Sequence, residues 1–340
     1  MKQGAIFMKS FENMRPNIEY KAILRQREID GNAFYATYHA QFIETPCPAC
    51  GSEGIFNFKK YGFAHKICTQ CKTLYCSPRP SDALISLYYK SYRAPELWTK
   101  LLLTADRQRK IIQYSPRVEK IVEKIQSRRK RKGGVALDIG AGSGAFAICL
   151  KNTGYFDDII ALDISESCVT ACKDCGLSAK QGTIADIETG SVDFICMNDL
   201  IEHVVDPFTL LMDCGRVLKK GGFVSIATPN GEGFDFRILK EQTKNITPPE
   251  HINYFNPYSM AFLLERAGFI PVSLETPGIL DVEIIQKEKD SGFPLKKKNE
   301  YLDYLMEQDA TVLNNFQEFI ANNRLSSHML VIAQKNEINT

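Results

Sequence analysis

A run of glycines after an acid offers a backbone suited to gripping a nucleoside. Leu137-Asp138-Ile139-Gly140-Ala141-Gly142-Ser143-Gly144 closes an apolar stretch with one carboxylate and then sets glycine at alternate positions. A turn free of side chains lets main-chain N–H groups approach a ligand closely, and the following helix turns its positive end toward it. Downstream, Ile159-Ile160-Ala161-Leu162 ends in Asp163. A carboxylate at the tip of the second strand can accept hydrogen bonds from ribose hydroxyls. Gly140-x-Gly142-x-x-Ala145 with Asp163 fits the dinucleotide fingerprint. Asp138, inside the strand end, can hold an ammonium group or order the loop, and Gly144 adds a third glycine. Neither belongs to that fingerprint. Asn198-Asp199, with Glu202-His203 beyond, adds polar groups at the same edge. These residues point to an enzyme that handles a nucleoside-containing cofactor.

A second constellation is Cys47-x-x-Cys50 and Cys68-x-x-Cys71. Two such knuckles supply the four thiolates of a closed tetrahedral zinc site. Four protein ligands leave no open position, so the metal expected is structural. Cys76 and His65 are spare ligands. Cys168-x-x-x-Cys172-x-x-Cys175 has the spacing of a radical enzyme's iron–sulfur motif. It also falls at i, i+4 and i+7 of a predicted helix, one buried face, and is read as packing.

Proton transfer from a hydroxyl near neutral pH suits an imidazole. Of five histidines, two stand where a base is useful. His203 follows the fourth strand in Asp199-Leu200-Ile201-Glu202-His203. His251 lies in Pro248-Pro249-Glu250-His251-Ile252-Asn253-Tyr254-Phe255, a loop rich in proline and aromatics. Either residue is also suited to a plain structural hydrogen bond. Glu202 and Glu250 can orient the rings, and Tyr254 can line an acceptor pocket or cap it. His39, His65 and His328 carry little weight.

The elements that must position these groups alternate. Strands are predicted at 135–139, 158–162, 178–182, 192–197, 223–228, 269–275 and 328–334. Helices are predicted near 144–152, 166–175, 206–218 and 257–267, with Asp206-Pro207 as N-cap and first turn and Gly221-Gly222 as the stop. The alternation predicts an α/β fold with a doubly wound, mostly parallel sheet and ligands at the carboxyl ends of its strands. Residues 1–40 read as an N-terminal arm, 41–80 as the zinc-ribbon module and 81–132 as a helical connector. Val118, Ile121, Val122 and Ile125 form the connector's apolar stripe. The run 128–132 is basic, as the end of a helix favours. Residues 133–340 read as the cofactor-binding domain. Within it 278–327 is a helical insertion, with Leu302, Leu305, Met306, Leu313, Phe316, Phe319 and Ile320 at helical spacing. It is read as extra core, with a lid or a homodimer face as the sharper alternative.

The chain has 340 residues and a net charge of +2, which gives no strong field for nucleic acid or a membrane surface. Met1–Ser10 lacks the apolar core of a signal peptide, and no segment approaches a membrane span. Eleven cysteines fit a reducing compartment, so a cytoplasmic location is expected.

On these residues the chain resembles the class I S-adenosylmethionine-dependent methyltransferases over about 134–277 plus the last strand. It is most similar to small-molecule and sugar methyltransferases of the ubiquinone-biosynthesis type, here with an N-terminal zinc ribbon. The resemblance implies a Rossmann-like sheet and S-adenosylmethionine as cofactor. It implies that Asp138, Gly140, Gly142 and Gly144 wrap the methionine moiety, that Asp163 holds the ribose and that Ile164 packs on the adenine. It also implies that Asn198 and Asp199 face the methionine end. Where the family places an acid for the adenine amino group, this chain has Thr183, with Asp186 three residues on. Comparable zinc regions occur in sugar methyltransferases, which favours a sugar, nucleotide-sugar or glycan acceptor, methylated at oxygen before carbon. Three rival readings remain: an RNA-modifying enzyme that grips RNA with its zinc ribbon, a non-catalytic protein scaffold, and a nicotinamide oxidoreductase. The near-neutral charge counts against nucleic acid, and the intact glycine loop counts against the scaffold.

Overall fold

The computed structural model describes residues 17–109, 114–129, 131–290 and 299–336. Most of the predicted arm is a 22-residue helix, α1 (Asn17–Tyr38). Its buried face runs through Tyr20, Ile23, Arg27, Asp30 and Phe34, a helical stripe that carries two charges. Three antiparallel strands follow, β1 (Gly54–Lys60), β2 (Phe63–Cys68) and β3 (Leu74–Cys76). The connector is helical as expected: α2 (Asp82–Ser91), α3 (Arg93–Arg109) and α4 (Ser115–Arg128). Ser81 caps α2 by accepting the Leu84 N–H. The four predicted apolar residues of α4 are its buried ones. Lys130 of the basic run lies outside the described residues.

The cofactor-binding domain then alternates. Its elements are β4 (Val135–Ile139), α5 (Ala145–Asn152), β5 (Asp158–Asp163), α6 (Glu166–Asp174), β6 (Ser178–Gln181), β7 (Val192–Asn198), α7 (Pro207–Val217), β8 (Leu218–Pro229), α8 (Phe234–Leu239), β9 (Asn253–Tyr254), α9 (Pro257–Arg266) and β10 (Phe269–Glu275). The insertion supplies α10 (Asp281–Asp290), α11 (Glu300–Met306) and α12 (Ala310–Asn322) before β11 (His328–Lys335). The main sheet has seven strands in the order β10-β11-β8-β7-β4-β5-β6. Strands β8 to β6 pair in parallel, whereas β11 runs antiparallel between β8 and β10. Both faces are covered. Ile195 and Met197 of β7 pack with α7 and α9, and Phe194 and Cys196 pack with α4 and α5. That two-sided burial explains strands with unbroken apolar runs. The predicted α/β, doubly wound sheet is the observed one.

One boundary needs correction. α7 ends at Val217, and Gly221-Gly222 lies inside β8 rather than ending the helix. Leu218 is drawn into the sheet opposite Val192, and the register shifts before Phe194 pairs with Phe223. The glycines serve that irregularity, with Gly221 at φ +68°. In the insertion, Leu302, Met306, Leu313 and Ile320 pack with Val282 and Ile285, and Leu305 and Phe316 flank them. Phe319 is exposed, because α12 turns it away from that cluster. Residues 291–298 lie outside the described residues. A second sheet, in the order β1-β2-β3-β9, joins the cysteine-bearing module to the loop that carries His251.

Candidate active site and metal site

The cofactor edge begins at the end of β4. Gly140, Gly142 and Gly144 all have left-handed backbone, and Gly144 is the N-cap of α5 at φ +80°. A Cβ at Gly144 would lie 2.7 Å from Leu177 Cδ1 and 3.0 Å from Cys172 Sγ. The loop is clamped from β5. Asp163 Oδ2 accepts the Gly142 N–H at 2.9 Å, and Oδ1 accepts the Ser165 N–H at 2.8 Å. Each oxygen keeps a lone pair for a further donor. Burial raises the Asp163 pKa, against these two bonds. Asp138 is buried. Its Oδ1 accepts the Cys196 thiol at 3.3 Å, and Oδ2 has no partner among the described residues. Desolvation pushes its carboxyl up to about 7, the signature of an anion that lacks a counter-charge.

A cavity of about 520 Å³ opens beside this loop. Asp138, Gly140, Gly142, Asn198 and Asp199 line it from the sheet, and Glu202, His203 and His251 line the same space. Other predicted residues lie outside this lining. Gly144 lies between the lining residues Ser143 and Ala145, Ile164 is 66% exposed just past β5, and Tyr254 is buried against Leu74 and Phe236 with its hydroxyl donating to His251 O at 2.8 Å. Thr183 and Asp186 cap a short turn after β6, where Asp186 Oδ2 accepts the Thr183 N–H at 2.8 Å.

The two imidazoles meet edge to face, with ring centroids 4.6 Å apart. His203 Nδ1 lies 2.9 Å from Glu250 O, and His251 Nδ1 lies 2.8 Å from Asn245 O. A carbonyl only accepts, so both Nδ1 atoms carry hydrogen and both Nε2 atoms present lone pairs. The Tyr89 oxygen, 2.9 Å from His203 Nδ1, is a second contact. Burial lowers both histidine pKa values, that of His251 well below the usual range, so both rings are neutral. Glu202 is fully buried beside them. Thr228 Oγ1 donates to its Oε2 at 2.9 Å, and Oε1 has no partner among the described residues. Desolvation raises its pKa well above the carboxylate range. One nitrogen or oxygen from each of Glu202, His203 and His251 lies within 4.8 Å of the others. Such a set can share a proton or ligate a divalent cation.

Several residues at this site were not singled out in the sequence. Arg27 of α1 forks onto Glu250 at 3.1 and 2.6 Å. Arg117 of α4 donates to Asn198 Oδ1 at 3.0 Å. Asp235 of α8 lines the cavity, its carboxyl pushed up to about 6 by burial. His328 Nε2 lies 3.3 Å from Asp199 Oδ1. Only His328 had a readable signal. An antiparallel last strand begins at the edge where its parallel neighbours end, so its first residue reaches the ligand.

In the module, Cys47 Sγ lies 3.4 Å from Cys71 Sγ, and Cys50 Sγ lies 3.3 Å from Cys68 Sγ. All four sulfurs lie within 4.8 Å of one another. A tetrahedral zinc site with bonds near 2.3 Å needs sulfurs about 3.8 Å apart, so the set fits that ion. His65 Nε2 and Cys76 Sγ, 3.3 Å apart, pair with each other. Burial pushes His65 down to about 3 and Cys76 up to about 12. Cys168 and Cys172 are buried on α6 while Cys175 is exposed, and the Cys172 thiol donates to Gly142 O at 3.4 Å. Among the described residues, no helix is long and apolar enough to cross a membrane.

The family model described as a methyltransferase domain matches residues 105–274. The ubiquinone biosynthesis O-methyltransferase of Methylococcus capsulatus is 32% identical over 115 residues, which cover 31% of this chain and 48% of that protein. Its namesake from Marinobacter nauticus is 29% identical over 161 residues, 42% of this chain and 67% of that protein. The match thus spans about half to two thirds of the length of these relatives. A solved structure from Thermotoga maritima, titled a possible histamine N-methyltransferase, shares 16% identity with a TM-score of 0.45, over 70% of this chain and 98% of that one.

Proposed function

Because the chain belongs to the methyltransferase-domain family, class I and S-adenosylmethionine-dependent, we propose that it methylates an oxygen of a small polar acceptor, a sugar, nucleotide sugar or glycan precursor. The observation that carries this reading is the single cavity that joins the glycine loop and Asp138 to Glu202, His203 and His251. Bound along the loop, S-adenosylmethionine would supply an electrophilic methyl on a sulfonium, and methylation of a hydroxyl would leave the thioether S-adenosylhomocysteine and one proton for the protein to take up. Asp138 holds the ammonium group, which answers the unpartnered Oδ2. Arg117 sits beside Asn198 to receive the carboxylate. Asp163 takes the ribose hydroxyls with its spare lone pairs, Ile164 covers the adenine, and Thr183 or Asp186 meets the amino group. Asn198 and Asp199 border the methionine end.

On the acceptor side the chain's own residues orient the hydroxyl and take its proton. The Nε2 lone pair of His203 or His251 accepts it, with the buried Glu202 carboxyl beside them. Alignment of reactants provides most of the rate, because the displacement needs little else from the protein. Arg27, Lys244, Asp235 and Asn245 also line the cavity and offer polar contacts to the acceptor, beside the apolar Trp98, Leu101, Ile279 and Leu280. A second reading takes the acceptor from the relatives' name, a ubiquinone precursor, and rests on their sequence identity. In the module, the four cysteines hold a structural zinc ion. The number of cysteines, eleven, fits a reducing compartment, and a cytoplasmic location is proposed on that ground.

The test is titration calorimetry with S-adenosylhomocysteine and, in parallel, NAD. Binding of the adenosyl ligand alone is expected and justifies an acceptor screen with nucleotide sugars and phenols. Binding of NAD alone overturns the reading.

A further inference from the structure

The cysteine module shares an apolar cluster with the main sheet, through Cys47, Ala49, Cys68, Cys71 and Tyr75, and its hydrogen bonds to the sheet domain gather at one half of the site. β3 pairs with β9 through Leu74↔Tyr254 and Tyr75↔Asn253, just past His251. The Cys76 N–H donates to Ile252 O at 2.9 Å, and Lys60 Nζ donates to Thr243 O at 2.7 Å. Asn256 Nδ2 donates at 2.8 Å to the carbonyl of Cys71, itself one of the four clustered cysteines. Arg266 donates to the carbonyl of Ala49, between Cys47 and Cys50. Arg79 spans the gap on the other side. Its Nε donates to Cys76 O and its Nη1 to Val205 O, both at 3.0 Å. Val205 stands two residues after His203. The two histidine loops are tied in turn, with the Ile252 N–H donating to Glu202 O at 2.9 Å and Asn253 Nδ2 to Val204 O at 2.7 Å. Among the described residues, no hydrogen bond or ion pair joins 41–80 to the glycine loop, Asp163 or the turn at 183–186.

The module also carries donors that await an anion. Tyr75 is fully buried in the apolar cluster of Cys47, Cys68 and Cys71, and its hydroxyl has no partner among the described residues. Arg79 is buried, and its Nη2 has no partner among the described residues. A divalent ion on four thiolates keeps a net charge near −2, and buried donors beside such a group are satisfied by it. Both residues are on β3 or just past it, the segment that leads to β9 and to Val205.

We propose that the metal-loaded cysteine module is the brace of the acceptor half of the site: it fixes the backbone that carries His203 and His251 and leaves the cofactor half to the sheet. The methyl-transfer reading contributes only the division into two halves. Metal closure of the 47–71 loop fixes β3 and Arg79. These fix β9 and Val205, and the imidazoles inherit their places. Arg79, Cys76 and Asn256 are positioning residues, since none of them touches the reacting groups.

The experiment strips zinc from the full-length protein with a strong chelator, quantifies the metal, and follows amide hydrogen exchange together with calorimetric affinity for S-adenosylhomocysteine. Exchange is expected to rise about tenfold or more in 201–206 and 245–256. Exchange in 136–146 and 159–165 and the ligand affinity are expected to stay within roughly twofold. Arg79→Gln keeps all four cysteines and guards against global unfolding. It should retain its zinc and loosen 201–206 alone. Acceptor loops that stay protected after zinc loss overturn the proposal. So does collapse of both halves together, or a purified protein that holds no zinc. A protein that binds no adenosyl ligand sinks the methyl-transfer reading, while the exchange result still decides the brace.

Discussion

Arg27→Met tests whether α1 is pinned to the acceptor edge by a buried charge pair. The guanidinium reaches the Glu250 carboxylate at 3.1 and 2.6 Å, with side chains 7% and 2% exposed. Glu250 has one further side-chain donor, Tyr88 Oη at 3.3 Å. Methionine keeps most of the aliphatic stem, so the substitution isolates the charge. It leaves a carboxylate in a poorly solvated site with the tyrosine alone. Breaking one side of a buried pair costs about 3–5 kcal/mol, against about 0–1 kcal/mol for an exposed pair. With an m-value of about 3 kcal/mol/M, the urea midpoint should fall by more than about 1 M. Trp98 is the chain's one tryptophan and lies 4.7 Å from the guanidinium, so its fluorescence reports the α1–α3 contact directly. Arg27→Met/Glu250→Leu should recover most of the loss, because two apolar groups need no counter-charge. A single variant that loses less than about 1 kcal/mol, or a double variant no better than the single, refutes the reasoning.

Three further outcomes follow from the cofactor edge. Gly144→Ala forces a Cβ onto left-handed backbone and within 2.7 Å of Leu177 Cδ1; thermal melting should show a loss of about 2–4 kcal/mol, and an unchanged melt removes the close approach. Asp163→Ala should weaken S-adenosylhomocysteine binding by about 1–3 kcal/mol in calorimetry, and equal affinity takes the residue out of the site. Asp138 has its folded pKa raised from 3.8 to about 7, so the folded state holds the proton more tightly than the unfolded chain. Stability from this group is therefore present below pH 4 and lost as pH rises toward 7. Asp138→Asn should then stabilise the ligand-free protein at pH 8 by up to about 4 kcal/mol and add nothing below pH 4, as read by urea melts across pH. The gain should shrink when S-adenosylhomocysteine brings its ammonium group, and a pH-independent effect argues against a buried, uncompensated carboxylate.

The strands and helices from β4 to β10, the short α8 and β9 apart, were legible because each one is long enough to show its period, and the sheet's two covered faces demand unbroken apolar runs. α1 was not. Its buried stripe includes Arg27 and Asp30, whose partners are Glu250 and the Ala94 N–H. Burial of a charge by a residue more than two hundred positions away leaves no local trace. β9 was missed for a related reason, since two residues become a strand only by pairing with β3. The glycine pair in β8 misled because the same dipeptide suits a helix stop and a strand irregularity, and the choice rests on the neighbouring strand.

The same contrast divides the site. Asp138, Gly140, Gly142, Gly144 and Asp163 belong to one strand–helix–strand unit, so their spacing alone fixes their geometry, and the sequence displayed it. The acceptor half is gathered from α1, the loop after β7, the loop before β9 and the start of β11. Each contributes one or two residues that look ordinary in isolation. Arg27 and His328 also lie outside residues 105–274, the span the methyltransferase-domain model matches. Likeness to that family therefore covers the glycine loop and both histidine loops, and leaves out Arg27 and His328, which line the same cavity. Acceptor specificity should thus move with substitutions in α1, the cysteine module and β11 while adenosyl-ligand affinity stays constant.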